Sequence, residues 1–410
     1  MGSPTSQLKS LSLLTASIGT KAGASIIVFL VAAKVWGSEE FGNFIYDFSL
    51  ASILCLVCDY GFSNQILKNG SNQRDNLPPL IAAKLWLTII TIALGLVINA
   101  TGIPASEDNF LLILFAVIIG SYFDFYCTYL RATNKTTEDF YLSTTTNIAT
   151  IAALIFAIHQ WKESRAFCIA MLATRAIQLL TVPLITRNIS AKIFATLPHL
   201  HPRNTARTLR FGFSFAADTA VNAALNHVDS VFLNHAAGAA ATGKYQAAAR
   251  FNQGIPLLYS VLVSYFLPKL AETRSSDKYK QLKRNFLNLS LLTWLSLAIS
   301  FLAIATIYSQ QPSGTIFHDA APYFLGLALI ALLRIYSGWL STLLTASGRQ
   351  RQKTAAYTLC LLTVLLSTHY LITIFGVWGV MLSQVIGYTL CITAMTAALK
   401  LHKTTKERNI

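Results

Sequence analysis

Charge is scarce in this chain. Asp, Glu, Lys and Arg make up 12% of its 410 residues, against about 25% in an average soluble domain. That is too little to clothe the surface of an ordinary cytosolic enzyme. Disorder is excluded by the complementary excess, since 54% of the residues are apolar or aromatic and a disordered chain is poor in them. The short alternating segments that build a transmembrane β-barrel are missing too. There are only six cysteines, all in apolar runs where a free thiol behaves as a small hydrophobe, so no disulfide framework is expected and the Cys55-x-x-Cys58 spacing reads as helix packing. His199 and His201 lack companion ligands, and no metal or resident cofactor is expected. The first apolar run is too long and too poor in small residues at its end to read as a cleavable signal peptide.

What the chain does have is apolar length. Runs occur at 12–35, 43–67, 85–103, 109–130, 139–159, 166–186, 211–235, 245–267, 285–308, 322–346, 354–376 and 379–399, each near the ~20 residues that span a bilayer as a helix. The fold class is therefore an all-α polytopic membrane protein with twelve transmembrane helices. The longest internal polar break, the basic stretch 187–210, divides them six and six. This gives an N-terminal six-helix bundle over 1–186, a cytoplasmic linker over 187–210 and a C-terminal six-helix bundle over 211–410. A weak repeat crosses the break. Gly37-Ser-Glu-Glu-Phe-Gly42 follows the first run and Gly238-Ala-Ala-Ala-Thr-Gly243 follows the seventh, as in transporters built from two repeats of like orientation.

The net charge of +15 is explained by where the bases fall. With the N-terminus inside, most of the 32 basic residues lie in cytoplasmic segments, Lys68, Arg74 and Lys84 among them. The opposite loops hold only Lys34, Lys162, Arg165 and Lys244. Positive residues in short loops stay on the cytoplasmic side, so both termini are expected in the cytoplasm and the basic excess is a topology signal. No nucleic-acid partner is expected. Amphipathic spacing of Ile189, Ile193 and Leu197, and of Tyr279, Leu282 and Phe286, suggests interfacial helices.

Ionisable groups at bilayer depth are costly and mark candidate sites. Here they are Lys21 in span 1, Asp59 in span 2, Asp124 in span 4, Arg175 in span 6, Asp218, His227 and Asp229 in span 7, Arg250 in span 8 and Arg334 in span 10. Asp229 and Arg250 share a level, which fits an ion pair as well as a ligand site. Lys21 has no carboxylate at its own depth. Arg175 and Arg334, each central in its span, either face a wet cavity or satisfy helix carbonyls. Lys and Arg facing such a cavity attract an anion, and arginine matches phosphate bidentately.

The stretch from Gly19-Thr-Lys21 through Ala32-Ala-Lys34-Val-Trp-Gly37-Ser-Glu-Glu-Phe-Gly42-Asn-Phe, with Asp59-Tyr-Gly61, Asp229-Ser-Val-Phe-Leu, Gly243-Lys-Tyr245 and Ala247-Ala-Ala-Arg250-Phe, resembles the polysaccharide transporter (Wzx-type O-antigen flippase) family of the MOP superfamily of multidrug and oligosaccharidyl-lipid exporters. The resemblance implies a MOP/MATE-like pair of pseudo-symmetric six-helix bundles in the bacterial inner membrane. It implies translocation of an undecaprenyl-diphosphate-linked oligosaccharide, with membrane lipids, a polysaccharide polymerase and a chain-length regulator as candidate partners. Family members line the cavity with basic residues from spans 1, 2, 7 and 8, which Lys21 and Arg250 match. Arg175 and Arg334 join them as candidate substrate contacts on charge alone, and span 2 supplies no deep basic residue. If transport is coupled to H+ or Na+, the carboxylates are Asp59, Asp218 and Asp229. Two other classes compete: a MATE-like drug or cation antiporter, which needs carboxylate-dominated cavity chemistry, and a membrane polymerase or glycosyltransferase. The second needs a substantial outward catalytic loop, and the outward loops are short with few acids, so no catalytic constellation is present and an enzyme is not expected.

Overall fold

The computed structural model describes residues 4–69, 77–133, 135–185, 201–272 and 278–408, and among them every regular element is a helix. By their contacts the residues divide into two compact units, Met1–Val231 and Phe232–Ile410. Nine segments among the described residues are long and apolar enough to cross a membrane, beginning with Ser25–Asp59 and ending with Val377–Lys400.

The first of these segments belongs to α1 (Pro4–Asp59), which is two helices joined at Gly37. There the backbone takes φ 75° and ψ −172°, a region open essentially only to glycine, so the expected spans 1 and 2 meet at a sharp joint. α2 (Phe62–Asn69), α3 (Leu77–Ala100), α4 (Glu107–Ala132), α5 (Thr136–Trp161) and α6 (Ser164–Ile185) follow, and α7 (Pro202–Ala224) completes the helices that lie wholly within the first unit. α8 (Val228–Gln253) is jointed in turn, at Gly238 with φ 85° and ψ 172°. Then come α9 (Ile255–Glu272), α10 (Lys278–Ser309), the short α11 (Ile316–Ala320), α12 (Tyr323–Ala346), α13 (Gln350–Phe375) and α14 (Val377–Arg408). The expected spans 1 and 2 both fall on α1, and the expected spans 7 and 8 fall on α7 to α9, which are not among these nine segments.

The two glycine joints carry the repeat seen in the sequence into backbone geometry. A methyl group at either glycine would meet nothing within 4 Å, so only the dihedrals oppose one. Gly37→Ala and Gly238→Ala are each expected to destabilise the protein by about 1–3 kcal/mol. Thermal unfolding of the purified variants in detergent checks this, and wild-type stability in either would refute the strain.

One end of the first unit is tied by loop contacts. Asp47 accepts the backbone N–H groups of Ala105 (2.8 Å) and Ser106 (3.2 Å), Glu40 accepts that of Ser164 (3.1 Å), and Arg165 pairs with Asp108 at 3.2 Å. Gly37 and the loops expected to face outward, 104–108 and 160–165, thus share one end. At the other, Arg131 pairs with the buried Asp139 at 3.2 Å. The core beneath α2 is aromatic and aliphatic, with Phe62, Ile66, Leu80, Phe123, Phe125 and Leu130 all buried.

In the second unit, Lys244 bonds Asp319 at 2.8 Å, joining two loops expected on the outer face. That hydrogen bond holds the Asp319 carboxyl below its ordinary range against the opposing effect of burial, with a weaker contribution from His318. Tyr279, Leu282 and Phe286 are not a separate interfacial helix. They sit in the opening turns of the unbroken 32-residue α10, because no helix-breaking residue separates them from the apolar run. Ile189, Ile193 and Leu197 lie outside the described residues.

Candidate functional site

The first unit encloses a cavity of about 400 Å³ between α1, α4, α5 and α6, with Ala223 of α7 and His227 just beyond it also on the wall. Its surface is mostly apolar, with Phe29, Phe48 and Phe167 presenting rings. Against that background stand Asp59, Asp124, Asn147, Thr150 and Arg175.

Asp59 ends α1 with its carboxylate partly open, while its counter-ion is hidden. Lys84, on α3, is 1% exposed and its ammonium lies 3.0 Å from Asp59 Oδ1. Lys84 also donates to Ser121 of α4, which in turn donates to the same Asp59 oxygen at 2.6 Å. The Tyr122 ring lies under the ammonium at 4.9 Å from its centroid, a favourable place for a cation. Cys58 is buried behind the wall, with its sulfur 3.2 Å from Thr88 Oγ1. All six cysteines are free and buried.

Arg175 of α6 forms the second polar patch. It donates to Gln178 Oε1 at 2.8 Å, and Gln178 donates across to Asn147 (3.3 Å) and Thr150 (2.9 Å) of α5. Asp124 acts on the guanidinium electrostatically. The side chain packs against α4 at Gly120, where a Cβ would stand 3.4 Å from Arg175 Cδ and Nε, an ordinary contact distance.

Of the candidate residues, the cavity brings together Asp59, Asp124, Arg175 and His227. Arg175 does face a cavity, one of the two alternatives left open for it. Asp218, Asp229, Arg250 and Arg334 are not on its wall. Asp218 lies in α7, where its backbone carbonyl accepts from Asn222. Asp229 is buried in the first turn of α8 and accepts from the Ser230 N–H at 2.7 Å. Arg250 is buried and donates to Gln253 at 2.9 Å. Arg334 lies over the Tyr388 ring at 5.9 Å. Lys21 falls within α1, but its side chain lies outside the described residues.

Lys84 requires a correction. The charge count assigns it to a cytoplasmic segment because hydropathy starts the third run at residue 85, whereas α3 starts at Leu77. Seven residues at 1.5 Å each bury Lys84 about 10 Å into the helix. A signal was available. Pro78 and Pro79 fit the first turn of a helix, where a missing N–H costs nothing, and they place the start well before Lys84. Beside span 2, then, a deep basic residue is present, supplied by span 3.

At one end of the cavity the chain closes on itself. Tyr60 and Gly61, which follow Asp59, both have positive φ, 41° and 66°, and turn the chain from α1 into α2. The Tyr60 hydroxyl donates to the Leu209 carbonyl at 3.2 Å, and Asn64 donates to Thr219 at 3.0 Å. A Cβ on Gly61 would lie 2.5 Å from the Phe215 carbonyl oxygen, and one on Gly212 would lie 3.1 Å from Gln65 Oε1. Along α1 and α2 the order is cavity at Asp59, then contact at 60–65. Along α7 it is contact at 209–219, then cavity at Ala223. The contact therefore lies beside the cavity, at the end where Asp59 and Ala223 stand on its wall.

Residues 7–274 match the model of a family described as polysaccharide biosynthesis protein. A comparison with curated proteins returns no match. Solved structures with the same fold include a MATE transporter in complex with MaL6 (13% identity, TM-score 0.65, 97% of each chain covered). An inward-facing multidrug resistance MATE transporter of the MOP superfamily is similar at 15% identity and TM-score 0.63, covering 97% of this chain and 96% of the other. A MOP superfamily transporter from Pyrococcus furiosus, described as having a binding pocket of reverse polarity, is similar at 12% identity and TM-score 0.64, with coverage of 97% and 96%. At these identities the likeness establishes the fold alone, that of an all-helical membrane protein.

Proposed function

The chain belongs to the polysaccharide biosynthesis protein family, and from that premise we propose that it is a flippase that moves an undecaprenyl-diphosphate-linked oligosaccharide, an O-antigen or capsular repeat unit, from the cytoplasmic to the periplasmic leaflet. The observation that carries the reading is a family match over residues 7–274 on a chain whose membrane-buried cavity is lined by both charged and aromatic groups. Alternating access supplies the mechanism. The cavity opens on one side at a time, and the α2–α7 contact beside it belongs to one of the two states. Lys21, Arg175, Arg250 and Arg334 are the groups proposed to bind the substrate, Lys21 and Arg250 at its diphosphate, since guanidinium and ammonium donors match phosphoryl oxygens. Asp59, Asp218 and Asp229 are the carboxylates through which H+ or Na+ would couple. The protein sits in the inner membrane with both termini in the cytoplasm, its charge bias being the support for that orientation. Polymerase and chain-length regulator remain its proposed protein partners.

A second reading has its own observation. Two carboxylates, Asp59 and Asp124, stand on the cavity wall against one guanidinium among its described residues, which is the polarity that a cation antiporter needs.

Depletion of the protein in its native host separates the two. The flippase reading expects a lipid-linked oligosaccharide to accumulate on the cytoplasmic leaflet. An unchanged lipid profile with new sensitivity to cationic drugs would establish the antiporter instead. Within the flippase reading, Lys21→Ala and Arg250→Ala should each lower glycan export about tenfold or more, the worth of one charged hydrogen bond, while the protein still reaches the membrane. Wild-type export by both would remove these residues from the diphosphate path.

A further inference from the structure

The charges around the first unit's cavity are compensated in a way that does not suit a diphosphate. Lys84 could supply positive charge, but it is 1% exposed, is absent from the wall and is spent on Asp59. Arg175 is held by Gln178 and faces Asp124. Among the described lining residues, a ligand would therefore see two carboxylates and one guanidinium. Lys84 and Arg175 balance Asp59 and Asp124 one for one, which leaves the wall no surplus positive charge with which to hold a multiply charged anion.

The same wall suits a neutral polyhydroxylated ligand. A carboxylate accepts hydrogen bonds from two neighbouring hydroxyls, an amide both donates and accepts, and a guanidinium donates to ring and hydroxyl oxygens. Asp59, Asp124, Asn147, Thr150 and Arg175 provide this set. Phe29 and Phe48, packed edge to face at 5.5 Å, add apolar ring surface that the C–H face of a sugar can cover. A volume of about 400 Å³ lies at the small end of ligand pockets, enough for a mono- to disaccharide and too little for a long glycan.

We propose that this cavity is a glycan subsite: it holds one or two sugars of the transported molecule, through Asp124, Asn147, Thr150 and Arg175 with Phe48 as stacking surface, while the diphosphate is bound elsewhere. The proposal rests on the flippase reading and divides its substrate between two places.

The sign of one substitution tests the division. Asp124→Asn keeps the size of the side chain and removes the negative charge beside Arg175. An anion site there would bind more tightly afterwards, whereas a sugar site would lose its strongest acceptor. Full-length protein is reconstituted into phosphatidylethanolamine and phosphatidylglycerol vesicles. Two quantities are measured: equilibrium binding of radiolabelled glycan released by mild acid from the host's lipid-linked oligosaccharide, with inorganic diphosphate as competitor, and flipping of the intact lipid. The glycan is expected to bind wild-type protein without competition from diphosphate. Asp124→Asn and Phe48→Leu are each expected to weaken that binding tenfold or more. If Asp124→Asn fails to insert, Phe48→Leu carries the test, because it changes neither charge nor backbone. The subsite is overturned if wild-type protein flips the lipid yet binds no glycan, if diphosphate displaces the glycan, or if binding survives in the inserted variants. Glycan binding that both variants weaken, with no flipping by wild-type protein, would overturn the flippase reading and leave the subsite standing.

Discussion

Asp59→Asn and Lys84→Met are each expected to cost the protein more than the double substitution Asp59→Asn/Lys84→Met does. Lys84 is buried in α3 with its ammonium 3.0 Å from Asp59, and its other partners, Ser121 and the Tyr122 ring, are neutral. Removing Asp59's charge leaves an ammonium inside the bilayer with nothing to balance it. Breaking one side of a buried pair in this way costs about 3–5 kcal/mol. Lys84→Met leaves the opposite charge, but Asp59 is 42% exposed toward the cavity and can be hydrated there, so its penalty falls at the lower end of that range. The double variant has no charge to strand, and a buried pair replaced by neutral groups of similar volume is often near neutral. Unfolding of the four proteins in detergent gives the coupling energy as a double-mutant cycle, expected at about 2 kcal/mol or more. Additive losses would show that Lys84 and Asp59 are held independently. The double variant also decides Asp59's role in transport. If it folds like wild type and still transports with the same dependence on a pH or Na+ gradient, Asp59 is structural and coupling must be sought at Asp218 or Asp229.

The spans were legible in the sequence because bilayer thickness fixes the length of an apolar run, and a run of that length has few alternatives. Gly37 and Gly238 were legible as a repeat because the same backbone joint demands the same residue twice. Lys84 escapes the hydropathy pattern for a physical reason. Averaged hydropathy penalises a charge wherever it stands, so a lysine neutralised by a carboxylate on another helix is pushed out of the span, and only Pro78 and Pro79 mark the true start. Asp59 and Arg175 could be singled out as costly at depth, but their partners could not. The line from Arg175 through Gln178 to Asn147 and Thr150 joins α6 to α5 through side chains that carry no charge, and nothing in a single sequence distinguishes them from other polar residues on helix faces. The meeting of α2 with α7 was hidden for the same reason: it joins residues some 150 apart, which only the folded chain brings together.

Gly61→Val is expected to disable the protein outright, by a route different from that of the Lys84 variants. Two independent obstacles meet at this position. The backbone sits at φ 66°, where a β-branched side chain is strained by about 1–3 kcal/mol. The new Cβ would also stand 2.5 Å from the Phe215 carbonyl oxygen, and that neighbour is helix backbone, which cannot rotate aside as a side chain can. Relieving the overlap means moving α7 away from α2, which gives up the Tyr60 bond to Leu209 and the Asn64 bond to Thr219. The combined loss is expected at about 3–5 kcal/mol, directed at this contact more than at the aromatic core beneath α2. Two readouts distinguish this from general misfolding. Asn64→Cys/Thr219→Cys should form an oxidative cross-link in an otherwise wild-type chain, and adding Gly61→Val should abolish it. Phe62, in that core, should remain protected in both, as reported by labelling of Phe62→Cys with a membrane-impermeant thiol reagent. A cross-link that forms equally well with valine at position 61 would show that the approach of α7 to Gly61 is not needed for the α2–α7 contact. Labelling of Phe62→Cys only when valine is present would show that the substitution unpacks the core rather than the contact.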